Sequence, residues 1–180
     1  MKPDQAPQPK DPETIEAERI CQEMREIAKH FPEPKWKKGD EKPRFFGNNF
    51  SLLFLGLKQK KQKSRGEITG ISGSAESRLK DIEHLYGEQW KKFLEDNDGL
   101  ISEIEEVLEQ EEKYSELAIR HVQLLKLERS LGNIEFVDRI SEEINLRGIA
   151  FDIANKLDPL LERASEAMKR CGINPEKFYR

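Results

Sequence analysis

Apolar residues are sparse along this chain and recur mostly at intervals of three and four, the spacing that lines one face of an α-helix. Ile20, Met24, Ile27 and Phe31 form the first such stripe. Asp11 and Pro12 open it, because aspartate suits an N-cap and proline at the first helical position loses no donor the helix would use. Phe31-Pro32 closes it. A broader face follows through Leu79, Ile82, Leu85, Tyr86, Trp90, Phe93 and Leu94, with Ser74 as the expected N-cap and the turn Asp96-Asn97-Asp98-Gly99 as its end. Residues 100–131 predict a long helix on Leu100, Ile104, Val107, Tyr114, Ala118 and Leu125. Glu111, His121 and Glu128 interrupt that seam, which marks a bundle helix rather than a continuous coiled coil.

Gly132 is the expected terminator of the long helix and Asn133 the N-cap of the next. Ile134, Val137, Ile140 and Ile144 make one stripe, while Ile149, Ile153, Leu157, Leu160 and Ala164 make another of rotated phase. The rotation predicts a bend or a change of packing neighbour near Gly148. Asp158-Pro159 is expected to kink or recap the last helix, and Gly172 to stop it. Residues 174–180 read as a terminal turn, with Phe178 and Tyr179 tucked against the helices.

Residues 32–73 lack a clear helical period and carry prolines at 32, 34 and 43. Ser51 to Leu57 and Glu67 to Ile71 read equally well as a small β-hairpin or as an irregular arm. The fold class expected is therefore mainly α. It comprises a disordered tail at 1–10, an N-terminal helix at 11–31, a basic aromatic arm or hairpin at 32–73, an antiparallel bundle of three to four helices at 74–172, and a C-terminal turn at 173–180.

Composition sharpens this picture. Charged residues (37%) outnumber hydrophobic ones (36%), so the core must be built from narrow stripes. The net charge of −4 hides a dipole. Between Lys35 and Arg65 ten basic residues face two acidic ones, a local charge of +8, whereas between Glu95 and Glu116 ten acidic residues face Lys113 alone, a local charge of −9. Lys35, Lys37, Lys38, Arg44, Lys58, Lys60, Lys61, Lys63 and Arg65, interleaved with Trp36, Phe45, Phe46 and Phe50, suit an anionic partner. Cations neutralise phosphates, and aromatic faces stack on exposed bases. The same segment also suits an anionic membrane surface, with Leu52, Leu53, Phe54 and Leu55 inserting, although this reading ranks lowest. It equally suits docking on the chain's own acidic helix.

Catalytic signals are weak by comparison. Asp96, Asp98, Gly99, Ile101 and Glu105 fall at positions 3, 5, 6, 8 and 12 of an EF-hand register, but Leu94 occupies the first ligand position, and a helix-ending turn accounts for the same residues. His30, His84 and His121 are dispersed, and Asp81 with His84 has no second such pair. Gly70-Ile71-Ser72-Gly73-Ser74 misses the nucleophile-elbow spacing by one residue. Cys21 and Cys171 fit neither a disulfide framework nor a metal-ligand spacing, so a reducing, cytoplasmic setting is expected. The N-terminus shows no apolar leader, and the sequon at Asn49 reads as coincidence. No metal, cofactor or small-molecule substrate is expected. The sequence points to a non-enzymatic helical interaction or assembly protein, self-associating and meeting a protein partner. A nucleic-acid-binding regulator is the alternative.

Overall fold

The computed structural model describes residues 11–41, 49–132 and 135–179. The tail at 1–10, Lys42, Arg44, Phe45, Phe46, Asn133 and Ile134 lie outside them. The chain is mainly helical: α1 (Pro12–Ala28), α2 (Ser51–Ser64), α3 (Gly73–Asp96), α4 (Asp98–Leu131), α5 (Glu135–Glu143) and α6 (Leu146–Arg170), then a 3₁₀ turn (Pro175–Phe178). No strand occurs among the described residues. Two compact units form, each from separate stretches of chain: residues 38–111 with 150–180, and residues 1–37 with 112–149.

The hairpin reading of residues 51–71 is overturned, since Ser51 to Leu57 is the first half of α2. Physical chemistry favours this outcome. The segment from 51 to 64 holds no β-branched residue, and its leucines, lysines and glutamines are strong helix formers. Gly66, at φ +75°, ends the helix: the amide of Glu67 donates to the Gln62 carbonyl (2.9 Å) and that of Gly66 to Lys63 (3.0 Å), a Schellman pair. Lysines in the last turn also complement the partial negative charge of the helix C-terminus.

In this unit Phe50, Leu53, Phe54 and Leu57 are buried, and α2 packs on Ala75, Leu79 and neighbouring residues of α3. The approach is close at Gly56, where a Cβ would lie 2.8 Å from the backbone oxygen of Ala75. Serine 72, not Ser74, is the N-cap residue of α3, and Gln59 of α2 accepts its amide hydrogen (2.9 Å). Leu85, expected on the buried face, is 53% exposed, and Tyr86 departs from helical geometry at φ −133°. Gly87 follows that kink on the exposed side, with nothing within 4 Å of its would-be Cβ. Gly87→Ala is expected to raise stability by about 0.5–1 kcal/mol through helix propensity. A urea melt showing a loss instead would mean that the kink depends on glycine.

Asn97 alone separates α3 from α4, its side-chain amide closing back on the Phe93 carbonyl at 2.9 Å. Gly99, Ile101 and Glu105 are therefore inside a helix, which removes the calcium-loop reading. Proline 159 is accommodated within α6 rather than starting a new helix. Gly172, at φ +80°, stops α6 as expected, and Ile173 donates to the Met168 carbonyl (3.0 Å). The terminal turn packs as the sequence predicts. Phe178 is buried, the Tyr179 hydroxyl is hydrogen-bonded to Ser165, and the Tyr179 ring meets Phe50 edge-on at 5.3 Å.

In the other unit α1 runs antiparallel to the second half of α4, tied by Arg120 to Glu23 (3.0 Å) and Ser130 to Glu13 (3.4 Å). Arg25 clasps both carboxylate oxygens of Glu143 on α5, at 2.8 and 3.0 Å. Asp11 occupies the N-cap of α1 but makes no side-chain cap bond, and the helix ends at Ala28, short of Phe31. The bend expected near Gly148 lies at Asn145. Asn145 takes a positive φ (49°), which asparagine tolerates better than most residues. Its side chain then accepts the Gly148 amide (3.2 Å) and donates to the Trp36 carbonyl (3.2 Å). A Cβ at Gly148 would press on the Asn145 side chain, so the asparagine's bridge to Trp36 would have to shift to admit it.

Candidate interaction surfaces

The residues of the expected basic arm are divided between the two units. Lys35, Trp36 and Lys37 belong to one unit and Lys38 to Arg65 to the other. Trp36 is 7% exposed and Phe50 fully buried, so neither ring offers an open face to a base in this conformation. Lys58 is also buried, one turn beyond Phe54 on the packed side of α2. Leu53 and Phe54, which a membrane reading would insert, are core residues, while Leu52 and Leu55 are half-buried. Arg44, Phe45 and Phe46 lie outside the described residues.

What remains exposed is Lys35, Lys37 and Lys38, and a cationic cluster of Lys60, Lys61, Lys63 and Arg65 over the last turns of α2. Three of that cluster are engaged locally. Lys60 pairs with Glu83 of α3 (3.1 Å), Lys61 with Glu105 of α4 (2.7 Å), and Arg65 with Glu67 (3.1 Å). The Lys61 contact is one instance of the basic segment resting on the acidic helix. Such exposed pairs contribute about 1 kcal/mol or less each and weaken with salt, so a polyanion can compete for them.

Glu128, read in the sequence only as a seam interruption, is fully buried. One of its oxygens accepts the Val137 amide at 2.6 Å, and the Phe136 amide also bonds to the carboxylate. A side chain of α4 thus caps the N-terminus of α5, while the expected N-cap, Asn133, lies outside the described residues. Burial pushes the Glu128 carboxyl above its ordinary pKa and Asp138 adds to this, while the two amides and His121 oppose it. Its second oxygen has no hydrogen-bond partner among the described residues. Nothing in the local sequence signals this cap, because its acceptor lies on α4 and its donors on α5.

The three histidines sit in different surroundings. His84 is exposed, His30 is exposed beyond α1, and His121 meets Ser141 of α5 at 3.3 Å. Cys21 borders a cavity of about 210 Å³ with Glu18, Arg25 and Arg139, but burial raises its thiol pKa, which favours the unreactive protonated form. Among the described residues no group of three or more His, Cys, Asp or Glu could hold a metal ion, and no helix is long and apolar enough to cross a membrane.

The outward side of α4 was not legible as a site. Ile119 and Val122, one turn apart, are 56% and 49% exposed on an otherwise charged helix. No family model matches the chain, and neither a curated protein nor a solved structure shows significant similarity to it.

Proposed function

We propose that this chain is a non-enzymatic helical assembly protein that associates with itself through an apolar stripe left outside its helical packing, and meets an anionic partner through the α2 cations. The observation that carries this reading is the exposed pair Ile119 and Val122. A single exposed apolar side chain is ordinary, but two neighbours on one helix face offer a surface that association would bury. The test is molecular mass in solution by light scattering, across protein concentration and at low and high salt. A mass rising above that of the 21.0 kDa chain with concentration is expected. A monomer at both salts and at the highest attainable concentration would end the proposal.

The exposed cluster of Lys60, Lys61, Lys63 and Arg65 favours a second reading, a nucleic-acid-binding regulator. Releasing three local carboxylates to free these cations is inexpensive, and counterion release would supply the drive. Binding to a labelled oligonucleotide that falls steeply with salt, and disappears when the four cations are reversed, is its signature. Equal binding by the charge-reversed chain would remove it.

A further inference from the structure

We propose that a second copy of this chain docks on the outward face of α4, antiparallel, about a two-fold axis passing between Ile119 and Val122. This deepens the self-association reading and rests on it. Within residues 112–131 the buried seam of α4 is Leu117, Leu124 and Glu128, with His121 half-buried. Diametrically opposite, at alternating steps of three and four, lie Glu112, Ser115, Ile119, Val122, Lys126 and Arg129, and all six are exposed. That spacing makes a strip that winds by about 20° per seven residues around the helix, the seam along which two helices pair.

The strip is self-complementary in one orientation only. Its N-terminal end is acidic, with Glu112 in the strip and Glu116 at its edge, and its C-terminal end is basic, with Lys126 and Arg129. Turned antiparallel, Glu112 of one copy faces Arg129 of the other, Ser115 faces Lys126, and Ile119 faces Val122. Each contact then occurs twice, as an isologous interface requires. A parallel pair would set glutamate on glutamate and lysine on lysine. Lys126 and Arg129 make no ion pair among the described residues, and Glu116 reaches Lys113 only at 3.8 Å. Lys126, Arg129 and Glu116, which would frame the apolar centre, are thus weakly committed. A face of this width falls at the small end of specific interfaces, so the dimer is concentration-dependent and loosens with salt.

Sedimentation equilibrium on the full chain tests this. Ile119→Asp with Val122→Asp is expected to weaken dimerisation at least tenfold while an unchanged melting curve shows that the fold persists, both positions being exposed. Lys126→Glu with Arg129→Glu makes the whole strip acidic, and Glu112→Lys with Glu116→Lys makes it basic. Each of these chains alone is expected to be monomeric, and an equimolar mixture to form heterodimers. Dimers of wild-type strength in all three variants would overturn this face while leaving self-association intact. A wild-type chain that never dimerises would overturn both.

Discussion

Gly56→Ala should destabilise the protein by about 1–3 kcal/mol, the usual cost of forcing volume into a packed contact. Propensity argues the other way, since alanine gains about 1 kcal/mol over glycine inside a helix. Geometry decides. The added methyl would sit 2.8 Å from the Ala75 carbonyl oxygen and 3.2 Å from its carbon, atoms of a helix backbone that cannot rotate aside. The helices α2 and α3 must separate, loosening the packing of Leu53, Leu57 and Leu79. A lowered urea midpoint with an unchanged slope is the expected result. Gly56→Ala at least as stable as the parent would mean that the two helices are not in this close contact.

Glu128 carries the second large effect. Glu128→Ala should cost about 2 kcal/mol or more, because it leaves the buried amides of Phe136 and Val137 without an acceptor. Glu128→Gln retains an acceptor and removes the buried charge, so its signature is in pH dependence. The carboxyl's folded-state pKa lies above its ordinary 4.5, so above pH 4.5 the unfolded chain loses this proton first. Stability from this group is full below 4.5 and is lost as pH rises through the folded value. Glu26, Glu76 and Glu143 act in the opposite sense, their pKa values being lowered by Lys29, Lys80 and Arg25. Their contribution is present above 4.5 and fades as pH falls through the depressed values. The difference in melting temperature between parent and Glu128→Gln isolates the buried group, with the variant gaining on the parent from pH 4.5 upward. Parallel profiles would show that Glu128 does not titrate from a buried site.

Helices were legible where the stripe and its punctuation agreed. Ile20 and Met24 are core residues, and Gly132 and Gly172 stop helices with positive φ. Reading failed where punctuation and period conflicted. Prolines and glycines around residues 32–73 suggested strands, yet the leucine and lysine content from 51 to 64 and the stop at Gly66 carried the helical message. On α4 the expected positions Leu100, Ala118 and Leu125 are only half-buried, and Ile101, Leu117 and Leu124 take the core instead. The offsets run in opposite directions because the two halves of α4 belong to different compact units and each buries its own face. The cationic segment was visible as composition, but which cations pair with Glu83 and Glu105 depends on tertiary contacts no spacing encodes. The α4 strip was hidden because its charges looked like ordinary solvated surface.

The 3₁₀ turn at Pro175–Phe178 sets an order on biosynthesis. Arg78 donates to the Phe178 carbonyl (3.0 Å), and Phe50 lies against Tyr179, so residues made early wait for contacts supplied a hundred or more positions later. During translation α2 and α3 emerge with part of their greasy surface uncovered until Phe178 and Tyr179 leave the ribosome. Slow synthesis or a premature stop would therefore prolong the interval in which chaperones, or other nascent chains, can seize that surface.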